Sequence, residues 1–116
     1  MTQTSLGKDG LPLPLRQKIA QVGQQIKLAR KRRGLTMQAM ADRMFVARKT
    51  LHRLESGEPG VSFGILAAAL LILGLEDDLD HLARPEADRT ANLLDRQRYD
   101  EKQRVRPAKA EVDLDF

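Results

Sequence analysis

The sequence predicts an all-α fold, a five-helix unit with a short extra C-terminal helix and flexible tails. Three observations predict it. Apolar residues recur at spacings of three and four along most of the chain, and no stretch alternates with period two. Aromatics make up only 3% and Trp is absent, so the core falls to Leu, Ile, Val, Met and Ala, which pack well between helices. Gly34, Gly57, Gly74 and Pro85 stand where the periodic runs stop. The 116 residues suffice for one compact domain with tails, divided here into a flexible leader at 1–14, a domain at 15–84 and a C-terminal extension at 85–116.

The first helix follows from Leu15, Ile19, Val22, Ile26 and Ala29, a stripe that carries the pattern to about Arg33. Lys31, Arg32 and Arg33 fall in its last turn, at the negative end of the helix dipole, and Gly34 terminates it. Thr36 is an N-cap for a second helix, about Met37 to Met44, with Met40, Ala41 and Met44 buried. Phe45-Val46 is a tight connection into a third helix, about Ala47 to Ser56, with Leu51 and Leu54 inward and Gly57 at its end. Glu58-Pro59-Gly60 is a turn. Ser62 caps a fourth helix, Phe63 to Leu73, where Val61 and Leu66 form a hydrophobic staple before Gly74 ends it. A fifth helix, about Glu76 to Ala83, starts with three acids and carries Leu79 and Leu82 inward. After Pro85, Glu86 to Gln97 forms a weaker sixth helix with Leu93 and Leu94. The basic and then acidic end of the chain is expected to be poorly ordered.

Composition removes several functions. Without cysteine there is no disulfide framework and no Cys-ligated zinc, and His52 and His81 alone make a poor metal site. No cofactor is implied. No phosphate-cradling Gly loop and no His–carboxylate pair tied to a nucleophile is present, so an enzyme is not expected. The N-terminal MTQTSLGKDGLPLP has no apolar h-region, and the longest apolar run, Ile65 to Leu73, falls far short of the ~20 residues that span a membrane. A cytoplasmic protein without a membrane partner is expected. Charge is uneven: residues 1–60 hold 12 Lys/Arg against 4 Asp/Glu, and residues 61–116 hold 8 against 12. Such a basic front half suits phosphate-rich partners, although a solvated Arg/Lys surface would read the same way.

The stretch Leu35 to Glu58, LTMQAMADRMFVARKTLHRLESGE, is two short helices joined by a very tight turn. That spacing crosses the helices steeply and leaves the second one prominent. Its outward positions are Arg48, Lys49, His52 and Arg53, opposite Leu51 and Leu54. A helix fits the DNA major groove, where Arg and Lys donate to guanine O6 and N7. Taken alone, the same face could be an ordinary solvated one.

The wider run IKLARKRRGLTMQAMADRMFVARKTLHRLESGE resembles the xenobiotic-response-element or Cro/cI-type helix-turn-helix family, the lambda-repressor-like fold. The resemblance covers roughly residues 22–74 and rests on Arg30, Gly34, Leu35, Thr36, Met40, Ala41, Val46, Leu51, Leu54, Glu55 and Gly57. It implies a structural ion pair between Arg30 and Glu55 that aims the recognition helix. It implies base contacts from Arg48, Lys49 and Arg53, with His52 a further one, and phosphate contacts from Thr36, Gln38, Arg43 and Thr50. Phosphate contacts set register and base contacts set sequence preference. Three residues depart from the family pattern. Met37 replaces a Gln, Phe45 replaces the turn Gly, and Ala47 replaces a Ser or Thr cap. With Phe45 the turn must either avoid a left-handed residue or strain one. Together they lend some support to an alternative reading, a protein-interaction module whose DNA binding is weak or vestigial.

The fourth helix, FGILAAALLIL, is apolar on every side, and a helix apolar all round is buried all round. Its outer side is covered either by the fifth and sixth helices or by a twofold partner, and a homodimer is expected. Gly60-Val61-Ser62, Leu73-Gly74-Leu75 and Arg104-Val105-Arg106 resemble HipB-like antitoxins encoded beside HipA-type kinases. That likeness implies an autoregulating repressor on a double-stranded DNA operator that also binds its kinase toxin. The terminal VDLDF, with Leu114 and Phe116 between acids, reads as a docking peptide or as a solvated end.

Overall fold

The structure, a computed structural model, describes residues 10–105. Among them the regular structure is helical: α1 (Leu13–Arg32), α2 (Met37–Met44), α3 (Arg48–Glu55), α4 (Phe63–Leu73) and α5 (Arg89–Val105), with 3₁₀ turns at Glu76–His81 and Pro85–Ala87. The chain divides between Asp80 and His81 into two units. No helix among the described residues is long and apolar enough to cross a membrane.

In the first unit α3 packs on α1 and α2, and α4 packs on α2 and α1. The core between them is Ile26, Met40, Ala41, Met44, Leu51, Leu54, Ala69 and Leu73. Each fully buried large side chain contributes ~1.5–3 kcal/mol of hydrophobic stabilisation, so this small set carries the unit. α2 and α4 start on side-chain caps: Thr36 Oγ1 accepts from the Ala39 N–H at 3.0 Å, and Ser62 Oγ accepts from the Ile65 N–H at 3.1 Å. Four helices end alike, on a left-handed residue at Gly34, Phe45, Gly57 and Gly74. At each, that residue and the next donate back to carbonyls of the last turn, as Phe45 N–H does to Asp42 O and Val46 N–H to Ala41 O.

α1 differs from its periodic reading at two points. It begins at Leu13, inside the stretch read as a leader, because Pro14 stands in the first turn, where its missing N–H is no loss. Its buried face is Gly23, Ile26 and Arg30, while Leu15 and Val22 are exposed. The stripe is rotated because the closest approach of α3 falls on a glycine, as described below.

Two further elements differ. Residues 76–81 form a 3₁₀ turn instead of an α-helix, since Asp77, Asp78 and Asp80 are weak helix formers. With three residues per turn and an end at His81, only Leu79 is half-buried and Leu82 is exposed. α4 is buried on one side only. Ala69, Leu70 and Leu73 lie within, while Phe63 is 61% and Leu71 60% exposed, so within the single chain the outer side of α4 is left open.

In the second unit α5 begins three residues after Glu86 and runs to Val105, past the Gln97 limit read from the sequence. Asp88 Oδ1 accepts from the Ala91 N–H at 3.0 Å and caps it. The stretch beyond Gln97 is rich in Arg, Lys, Glu and Gln, which sustain a helix without a buried face. Leu93, Leu94 and Tyr99 are exposed along it.

Candidate nucleic-acid interface

α3 carries two faces. The inner one is Leu51, Leu54 and Glu55. Glu55 is 5% and Arg30 6% exposed, and they form a two-pronged ion pair. Arg30 Nε donates to Glu55 Oε2 at 2.7 Å and Nη2 to Oε1 at 3.0 Å, while Nη1 donates to the Leu35 carbonyl at 2.9 Å. The guanidinium thus ties the end of α1, the loop before α2 and the end of α3 together. Fork-to-fork geometry of this kind fixes orientation as well as energy.

Beside the pair the two backbones nearly touch. A Cβ added at Gly23 would lie 2.7 Å from the Leu54 and Glu55 carbonyl oxygens and 2.9 Å from the Gly57 nitrogen. A Cβ on Gly57, at φ 77°, would lie 2.5 Å from Ala20 Cα. Glycine on both sides lets α1 and the end of α3 meet backbone to backbone. Gly23 went unread in the sequence. The available signal was an isolated glycine in the interior of an otherwise strong helix.

The outer face is cationic. Arg48, Lys49 and His52 are exposed, and Arg43 at the end of α2 is exposed as well. No Asp or Glu occurs from Arg43 to Leu54. Arg48 and Lys49 occupy the first turn of α3, which contains no acid. That turn is the positive end of the helix dipole, where cations are disfavoured and anions bind. The N-cap, Ala47, offers no side-chain acceptor. Phe45 ahead of it holds φ 59° and ψ 40°, and its side chain is 95% exposed. Of the two options the sequence left open, the turn therefore keeps its left-handed residue. A non-glycine residue there costs roughly 1–2 kcal/mol.

The remaining sequence-chosen positions are less free. Arg53 is half-buried and its Nε lies 3.3 Å from Glu58 Oε1. Thr36 Oγ1 serves as the α2 cap, Gln38 Nε2 donates to Asp42 Oδ1 at 2.8 Å, and Thr50 is half-buried. His52 Nε2 stands 3.5 Å from Ser56 Oγ. Leu114 and Phe116 lie outside the described residues, as does Arg106.

Chemically, the exposed first turn of α3 offers five N–H donors from Arg48, three from Lys49 and unbonded backbone N–H groups, on a helix anchored at its other end by the Arg30–Glu55 pair. That set suits a polyanion with ordered acceptors. A family model described as a helix-turn-helix domain matches residues 21–82. Searches of curated proteins and of solved structures returned no match.

Proposed function

Because the chain belongs to the helix-turn-helix domain family, we propose that it is a sequence-specific DNA-binding transcriptional repressor whose recognition helix is α3. One observation carries this reading: two exposed cations, Arg48 and Lys49, sit at the positive pole of α3, in a stretch from Arg43 to Leu54 that contains no acid. The arrangement opposes the stability of the free helix and becomes favourable only against phosphates and base acceptors. In this reading Arg48, Lys49, His52 and Arg53 contact bases, Arg53 after leaving Glu58. Thr36, Gln38, Arg43 and Thr50 contact phosphates. Residues 15–84 are the reading domain and 85–116 its extension.

Gel shift across a salt series tests it. Each neutralised phosphate adds a slope of about −0.9 to log K against log salt on duplex DNA. A binding constant that does not fall with salt rejects the reading. Arg48→Ala is expected to relax sequence preference and cost ~1–3 kcal/mol at one base pair. Uniform weakening on all sequences would make Arg48 a phosphate contact instead.

We further propose a homodimer. Phe63 and Leu71 present apolar surface on α4, and Phe63 borders a groove of about 250 Å³ lined by Ile19, Val22 and Leu66. A twofold copy would cover that surface and set half-sites about one DNA turn, ~34–36 Å, apart. A monomer mass at every concentration rejects it. The likeness of Gly60-Val61-Ser62 and Leu73-Gly74-Leu75 to HipB-like proteins supports an antitoxin that represses its own operon and binds a HipA-type kinase. Co-expression with a kinase of that type, followed by co-purification, tests it. The second reading, an interaction module with vestigial DNA binding, draws on Met37, Phe45 and Ala47, and a salt-independent gel shift would favour it.

A further inference from the structure

Phe45 closes the turn between α2 and α3 in the left-handed region with its side chain 95% exposed. The same closure is made at Gly34, Gly57 and Gly74 with no side chain at all. Among the described residues neither the turn geometry nor the packing calls for a phenyl group here. A strained residue with no counterpart inside the fold marks a contact made outside it.

The surroundings indicate the class of that contact. Arg43 precedes Phe45, Arg48 and Lys49 follow it, all are exposed, and the stretch contains no acid. Docking onto an apolar protein surface would desolvate those cations without partners. A polyanion that carries apolar groups among its charges satisfies the ring and the cations together. In duplex DNA the 5-methyl of thymine is such a group, and it projects into the major groove. Phe45 lies three positions ahead of Arg48, beside the N-terminal end of α3, which meets the bases in the helix-turn-helix docking geometry.

We propose that Phe45 packs against a thymine 5-methyl at the edge of the base pairs read by Arg48 and Lys49, and sets a thymine preference there. The inference rests on the DNA-reading function proposed above. It adds an apolar specificity contact from a turn position where glycine would fold as well.

The test selects bound duplexes from a random pool with the full chain, then repeats the selection with Phe45→Gly and Phe45→Asn. Both replacements tolerate positive φ, and both are expected to melt at or above the wild-type temperature. One thymine position selected by the wild type should become degenerate in both variants. Replacing that thymine with deoxyuridine removes only the methyl group. It should weaken wild-type binding about fourfold, as expected for one buried methyl, and leave Phe45→Gly unaffected. Equal loss on the two duplexes in wild type and variant overturns the assignment, as does a variant that keeps the thymine preference. A wild-type chain that selects no sequence overturns this inference together with the DNA-binding reading. A wild type that selects a sequence bound equally well by Phe45→Gly overturns this inference alone.

Discussion

At its C-terminal end α3 is fastened at three levels, while at its N-terminal end every local choice runs against stability. The C-terminal end has a buried ion pair to Arg30, a backbone contact at Gly23 and a glycine in the left-handed cap. The N-terminal end has an uncapped Ala47, two cations at the positive pole and a phenylalanine where the other turns place glycine. The two ends are about two helical turns apart on the same eight-residue element. Local rules are broken where a site must face outward, and the surrounding fold offsets the strain. The fixed end can therefore be lost only with the fold. The free end can be improved without it.

Removing the anchor should cost most. Glu55→Ala leaves the Arg30 guanidinium buried with only the Leu35 carbonyl as partner. Breaking a buried pair from one side costs ~3–5 kcal/mol, a large part of the stability of a domain this size. Chemical denaturation is expected to show that loss, with DNA binding failing alongside. Replacing both partners, Arg30→Met with Glu55→Leu, should recover a large part of it, because no charge is then stranded. If Glu55→Ala melts like the wild type, the contrast between the two ends disappears.

Gly23→Ala tests the same end by a steric route. The new Cβ would meet two carbonyl oxygens at 2.7 Å, and backbone atoms cannot rotate aside as side chains do. Overpacking costs ~1–3 kcal/mol, against a gain of ~1 kcal/mol in helix propensity, for a net loss of up to about 2 kcal/mol. A rise in melting temperature would mean that α1 and α3 separate freely, and that the ion pair alone positions α3.

Much of the fold was legible because its elements bury regular stripes. Met40, Ala41 and Met44, then Leu51 and Leu54, follow from spacing alone, and placing them inward turns Arg48 and Lys49 outward. The caps at Thr36 and Ser62 follow from residue chemistry. Legibility fails where tertiary contact overrides periodicity. Val22 belongs to the stripe by spacing, yet Gly23 takes the contact, since the approach is closer than any side chain allows. Arg30 is polar and buried, which no hydrophobic pattern anticipates. It was reached only through the family resemblance. Leu79 and Leu82 suit an α-helix over 76–83, but the aspartates tip 76–81 into a 3₁₀ turn. The helix beyond Gln97 was missed for the opposite reason. It has strong helix formers and no buried face, so periodicity is silent. Phe45 could be flagged as unusual, but whether its φ would be positive depends on how tightly α2 and α3 must close.

The smallest change addresses the free end directly. Ala47→Ser supplies the acceptor that the first turn of α3 lacks, in the extended conformation an N-cap requires, with φ −67° and ψ 148° already in place. The expected gain is ~1 kcal/mol, or roughly 4–8 °C in melting temperature for a domain of this size. Thr50 N–H already donates to the Ala47 carbonyl at 2.9 Å, so the serine hydroxyl would compete with an anion for the first-turn N–H groups that remain, and stability and DNA affinity should move in opposite directions. A higher melting temperature with weaker binding to a selected duplex supports the view that this end is left uncapped for its ligand, and unchanged binding counts against it. A serine that raises both shows that Ala47 is merely a weak cap, and leaves Phe45 and the two cations as the features that set the ends of α3 apart.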